Sequence, residues 1–199
     1  KSWLSNTNED LRTAASRVLK YTVNYIPDEA LLTLVDYLLE RAEDTASSKV
    51  TAKHGSLSAL GSIVVGTLEG KCPRERIVEC LLKELSMGHA GAGDMKTEAV
   101  SVAKGNDKAA KNPATKKRAQ SPLVVYIAAS DAIGMVGKAG RMTEEEGVAA
   151  VVALIKLSKT KVEDANKLIE HAVVAIGDVC EGSSSKSEEC GARRKAMDG

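Results

Sequence analysis

The chain of 199 residues contains no phenylalanine, and one tryptophan with four tyrosines makes up all its aromatic surface. A core without large rings must be filled by Leu, Val, Ile and Ala, which suits helices whose small side chains let the axes approach closely. Charge of one sign is also lacking. Lysine and arginine nearly balance aspartate and glutamate, at a net +1, which removes the simplest electrostatic ground for a nucleic-acid or membrane-surface binder. No apolar run reaches the roughly 18 to 20 residues needed to span a bilayer. The opening Lys1-Ser2-Trp3-Leu4-Ser5 has no apolar core of a secretory signal. A cytoplasmic location without membrane insertion is the expectation.

Cysteine is sparse and badly spaced for metal. Cys72, Cys80, Cys180 and Cys190 are separated by seven, 99 and nine intervening residues. Zinc sites need thiolates or imidazoles at short, turn-compatible spacing, so no metal and no cofactor is expected. Free thiols follow for an intracellular chain, with Cys80 on an apolar helical stripe as a small hydrophobe.

What the sequence does have is a repeated phrase. Ala59-Leu60-Gly61, Ala132-Ile133-Gly134 and Ala175-Ile176-Gly177 are each followed two residues later by Ile63, Val136 or Val179. The last two glycines lie 43 residues apart, and the first two lie 73 apart, one such period plus a polar insertion. A degraded fourth copy falls at Ala15 to Val23, with Leu19 lying 41 residues before Leu60. A period of roughly 40 to 47 residues with two helices per unit is the mark of a HEAT or armadillo-like α-solenoid. The expected fold is therefore all-α, with about four helical hairpins.

Helical punctuation fills in the units. A first helix starts near Asn8, with Asn8 or Thr7 capping it and Leu11, Ala15, Val18, Leu19, Thr22 and Ile26 on one face, and Pro27 breaks it and opens the next. Leu31, Leu34, Val35, Leu38, Leu39 and Ala42 line the second helix. The next hairpin begins near Ser48, with Val50, His54, Leu57, Gly61, Val64 and Leu68 along one stripe. Gly70 ends that helix, and Pro73 starts its partner, with Ile77, Cys80, Leu81 and Leu85 inward. From 88 to 121 the chain is a basic insertion too poor in large apolar residues to offset its ordering entropy, and it is expected to be mobile.

Order returns at Ser121-Pro122, which opens a helix apolar almost all round and so suited to the middle of a packed array. Thr143 and Glu146 form a capping box for a helix burying Val148, Val151, Val152 and Ile155. The last clear helix runs from about Val162 to Val179, and 183–199 reads as a polar loop with one frayed helix. The expected organisation is two repeats over 1–87, the insertion 88–121, further repeats over 122–182, and the tail. Each mid-helix glycine costs roughly 0.5 to 1 kcal/mol relative to alanine. Repeating it at Gly61, Gly134 and Gly177 therefore implies close helix packing at all three; a glycine hinge giving spring-like flexibility is the other reading.

Chemistry is thin. His54 sits on an apolar stripe, where a core or inter-repeat hydrogen bond suits it better than catalysis. His89 and His171 are scattered. Asp131, the one charge in an apolar helix, needs a partner such as an inter-repeat salt bridge. Gly88-His89-Ala90-Gly91-Ala92-Gly93 follows a helix and lacks a Gly-Lys-Ser/Thr ending, so it is no phosphate loop. Lys116-Lys117-Arg118 reads as solvated linker or as a nuclear import or acidic-partner signal. No paired carboxylates, nucleophile motif or metal set appears, so no catalytic residue is assigned and no enzyme is expected.

The order of these segments resembles one family. Lys53-His54-Gly55-Ser56-Leu57-Ser58-Ala59-Leu60-Gly61-Ser62-Ile63-Val64-Val65-Gly66, an insertion, Pro122 through Gly137, then Glu170-His171-Ala172-Val173-Val174-Ala175-Ile176-Gly177 is similar to the HEAT-repeat body of the proteasome adaptor and scaffold protein family. The likeness covers about residues 10 to 182 without the insertion. It implies a non-catalytic protein that binds proteasomes, holding core and regulatory particles together or tethering them to other components in cytoplasm or nucleus. Members are very large, so the chain is expected to be a fragment, in keeping with its lack of an initiating Met. The expected partners are proteins, proteasome subunits first, with no nucleic acid and no small-molecule substrate. Another HEAT adaptor, of the nuclear transport receptor or tubulin-folding cofactor type, fits the period equally well.

Overall fold

A computed structural model describes residues 3–44, 49–94, 123–160 and 165–197. The described residues are helical without strands: α1 (Glu9–Thr22), α2 (Asp28–Glu43), α3 (Val50–Gly66), α4 (Arg74–Asp94), α5 (Leu123–Lys138), α6 (Glu144–Ser158) and α7 (Asn166–Met197), with short 3-10 turns at Trp3–Ser5 and Val23–Tyr25. None is long and apolar enough to cross a membrane.

The punctuation acts as its chemistry dictates. Asn8 Oδ1 accepts the Asp10 amide at 2.8 Å and caps α1. Thr143 and Glu146 close a reciprocal capping box on α6. Gly70 and Gly140 take left-handed backbone, with φ of 80° and 64°, in the turns after α3 and α5, where a side chain would be strained.

The helices form two layers. In one, α3 lies between α1 and α5, and α5 lies between α3 and α7; in the other, α4 packs beside α2 and α6. The layers meet where α2 rests on α3, α4 on α5 and α6 on α7. The two middle helices of the first layer are consequently covered nearly all round: α3 buries Leu57, Leu60, Ile63 and Val64, and α5 buries Val125, Ile127, Ile133 and Val136.

Small residues set the spacing within that layer. A Cβ placed on Gly61 would lie 2.7 Å from Ala132 Cβ and 2.9 Å from its Cα, and one on Gly134 would lie 3.1 Å from Ala175 Cα. The glycine of one phrase thus receives the alanine of the next phrase, and the helix axes close up. Gly177 departs from the expected packing: nothing lies within 4 Å of a Cβ there, because no described helix follows α7 on that side.

Several faces differ from their sequence reading. In α1 the buried residues are Arg12 and Ser16, whereas Leu11 and Val18 are 44% and 58% exposed; a polar contact with α3 turns the helix. In α6 the core takes Gly147, Ala150, Leu154 and Leu157, leaving Val148, Val152 and Ile155 exposed, since the short residues allow closer approach to the neighbouring helices. Leu68 is exposed as well, lying beyond the end of α3. Helix α4 continues past Gly88 to Asp94, where Gly88 fits against Tyr126 and Leu157, and α7 carries helical backbone through the serine run to Met197. The rest of the 88–121 segment, including Lys116-Lys117-Arg118, lies outside the described residues, as do the start proposed at Val162 and the Ser121-Pro122 helix opening.

Candidate functional site

The surface of the α1–α3–α5–α7 layer carries a shallow groove of about 260 Å³ whose walls include Thr13, Arg17, Ser58, Asp131 and Asp178. Hydrogen bonds and ion pairs between successive helices of the layer hold these walls. The His171 ring Nδ1 and Asp131 Oδ1 are 2.6 Å apart, joining α7 to α5. Lys138 of α5 donates to Asp178 Oδ1 at 3.0 Å and pairs with Glu181 at 3.2 Å, both on α7. Asp131 therefore has the inter-helix partner its position demands. Its carboxyl nonetheless stays above the ordinary aspartate range, because partial burial outweighs the contact with His171.

At the α1–α3 contact, Arg12 Nε donates to His54 Nδ1 at 3.1 Å, and Arg12 Nη1 donates to the carbonyls of Asn6 and Thr7 at 2.7 and 3.2 Å. An imidazole that accepts at Nδ1 is neutral, with its proton on Nε2. Burial, reinforced by the nearby guanidinium, pushes His54 down to about 4. His54 is thus a structural acceptor with its lone pair already taken. Arg12 is not legible as its partner from the sequence, because nothing in local spacing marks a charged residue for burial across 42 positions.

Two of the thiols are held in inert states. Burial raises the Cys80 thiol to about 11, with Glu84 and Glu43 adding to the rise. Burial also raises Cys72, against a hydrogen bond with Thr67. Neither is a ready thiolate at neutral pH, and Cys72, Cys80 and Cys180 are free. Among the described residues, no group of three His, Cys, Asp or Glu side chains could hold a metal ion. His89 lies on the backbone of α4.

Further concavities lie elsewhere on the surface. One of about 940 Å³ lies between the α3–α4 and α5–α6 turns and includes Thr67, Cys72, Arg74 and Arg141. Arg74 is committed there: its Nη1 donates to Glu146 Oε2 at 2.6 Å and to the Arg141 carbonyl at 2.9 Å. The other, about 430 Å³ and apolar, is formed by Trp3, Leu11, Ala14, Val18, Leu34 and Tyr37 at the α1–α2 end. The arrangement offers faces of paired charge and exposed apolar side chains. Comparison with protein-family models, with curated proteins and with solved structures returns no match.

Proposed function

We propose that the chain is a stretch of HEAT-like α-solenoid whose role is to dock other proteins without transforming a substrate. The observation that carries this reading is the repeated seating of one phrase on the next, Gly61 against Ala132 and Gly134 against Ala175. An interaction that recurs from unit to unit extends an array and builds long side walls, which is how stacked helical repeats present binding surface. The engagement of His54 by Arg12 and of Asp131 by His171 supports a structural use for the polar groups a catalytic reading would need.

The partner proposed is the proteasome, on the resemblance of Lys53–Gly66, Pro122–Gly137 and Glu170–Gly177 to the proteasome adaptor and scaffold family. Co-sedimentation of the purified chain with purified proteasomes tests it. Saturable recovery of the chain in the proteasome fraction is expected. A chain left in the supernatant that instead sediments with importins or tubulin would replace this partner with that of another HEAT adaptor.

A further inference from the structure

The middle of the groove on the α1–α3–α5–α7 layer is a single row on α3: His54, Ser58 and Ser62, four residues apart, all line it. Helix hydroxyls elsewhere return to the carbonyl four residues back, as at Ser16, Ser130 and Ser183. Ser58 and Ser62 do not, and neither has a hydrogen-bond partner among the described residues. Ser62 is nonetheless buried, at 2% exposure, and so is His54 at 4%. The His54 ring gives its Nδ1 lone pair to Arg12, while its Nε2–H meets no acceptor among the described residues. The unpartnered polar atoms sealed from solvent there are Arg12 Nη2 and Thr160 Oγ1. The Ser62 hydroxyl and the His54 N–H are outside that set, so they open onto the groove they line. Recessed donors that the fold leaves unpaired are available to an incoming acceptor.

Spacing selects the acceptor. Positions four apart rise about 6 Å along a helix, and carbonyls on one side of an extended chain recur every second residue, at about 6.6–6.8 Å. An extended peptide laid along α3 therefore meets His54, Ser58 and Ser62 with successive same-side carbonyls. Charge selects a side chain. Glu9, Asp131 and Asp178 line the groove against one cation, Arg17, while the cations they pair with, Lys167, His171 and Lys138, lie outside the lining. We infer that this groove binds an extended segment of a partner protein, with its backbone carbonyls on the α3 row and a lysine or arginine side chain between Asp131 and Asp178. Helix α3 lies inside the layer, between α1 and α5, so the row belongs to the body of the array. The inference rests on the docking reading and deepens it, without requiring that the partner be the proteasome.

Random dodecapeptides displayed on phage and panned on the full chain supply the probe, and the selected peptides are titrated by fluorescence anisotropy. They are expected to carry a lysine or arginine, and to bind about fivefold more weakly to Ser58→Ala and about thirtyfold more weakly when Ser62→Ala is added. Alanine suits a helix at both positions, and circular dichroism checks that the fold is kept. Should the double variant fail to fold, Ser58→Ala alone carries the test, together with norleucine in place of the peptide's lysine, which should weaken binding to the wild-type chain. No selected peptide, selected peptides without a basic residue, or affinities unchanged by the serine substitutions would each overturn the inference. Co-sedimentation separates the failures. A wild-type chain that selects no peptide yet sediments with proteasomes rejects the groove alone, and one that selects no peptide and sediments with neither proteasomes, importins nor tubulin rejects the docking reading with it.

Discussion

Arg12 Nε donates to His54 Nδ1 inside the α1–α3 contact, with Arg12 wholly buried and His54 only 4% exposed. Burial, and after it the guanidinium directed at the ring, keeps His54 neutral, and burial lowers the guanidinium's own pKa in turn, opposed by Glu9. This contact also sets which face of α1 turns inward.

A pH dependence follows from that pair. An imidazole in an unfolded chain titrates near 6.5, and His54 in the fold titrates at about 4. Between those values the unfolded chain binds a proton that the fold does not. Stability therefore falls as pH drops from about 6.5 to about 4 and levels off below, by up to about 3 kcal/mol from this group. His54→Gln keeps an acceptor for Arg12 but does not titrate, so its urea midpoints should fall less steeply over that window. Parallel curves for variant and wild type would contradict the assignment.

The buried ion pair between α3 and α4 gives a second expectation. Lys53 Nζ lies 2.8 Å from Glu84 Oε1, with side chains 12% and 3% exposed, and burial holds the Glu84 carboxyl above its usual range despite the bond from Lys53. Lys53→Met leaves that carboxylate facing no cation across the interface and should cost about 3–5 kcal/mol at neutral pH. Lys53→Met with Glu84→Leu removes both charges and should recover most of the loss. Urea unfolding of the single and double variants measures the difference, and equal losses would show that the pair is not coupled.

Glu146 ties α6 and its cap to α4: its Oε2 accepts from the Thr143 amide at 2.7 Å and from Arg74 Nη1 at 2.6 Å. Burial alone would raise its carboxyl, yet the bonds from Arg74 and Thr143 hold it below the ordinary glutamate value of 4.5. A depressed carboxyl contributes stability that is present above the unfolded value and lost as pH falls through the folded one. Glu146→Gln should lower the unfolding midpoint at pH 7 and reduce acid sensitivity below about pH 4.5. Thr143→Ala removes only the hydroxyl half of the box and should cost about 1 kcal/mol. Thermal melts across pH distinguish the two.

Local signals in the sequence read well wherever one residue's chemistry decides the outcome. The Thr143–Glu146 box, the Gly70 turn and the core stripes of α2 and α4 all follow from spacing and capping chemistry, and of the two candidate caps for α1, Asn8 and Thr7, the fold uses Asn8. The face of α1 does not, because burying Arg12 depends on His54 in a different helix, and no apolar pattern announces a buried guanidinium. The valines of α6 mislead for a related reason: β-branched residues look like core, but the interface selects Gly147 and Ala150 for their small size. In the candidate groove, the partner required by Asp131 was legible, whereas its identity as His171 depends on how α5 and α7 stack. The role of the repeated glycine was legible at Gly61 and Gly134 and fails at Gly177, where the array ends among the described residues.

Stacking by seated alanines is the claim on which the rest depends, and a comparison of two glycine substitutions tests it most directly. In dilute chain, Gly177→Ala meets open space and should raise the urea midpoint, worth about 0.5–1 kcal/mol from helix propensity alone. Gly61→Ala gains the same propensity but drives a methyl against Ala132, and should lower the midpoint through overpacking of about 1–3 kcal/mol. Opposite shifts are the predicted result; a rise of equal size in both variants would mean that α3 and α5 do not meet through Gly61 and Ala132.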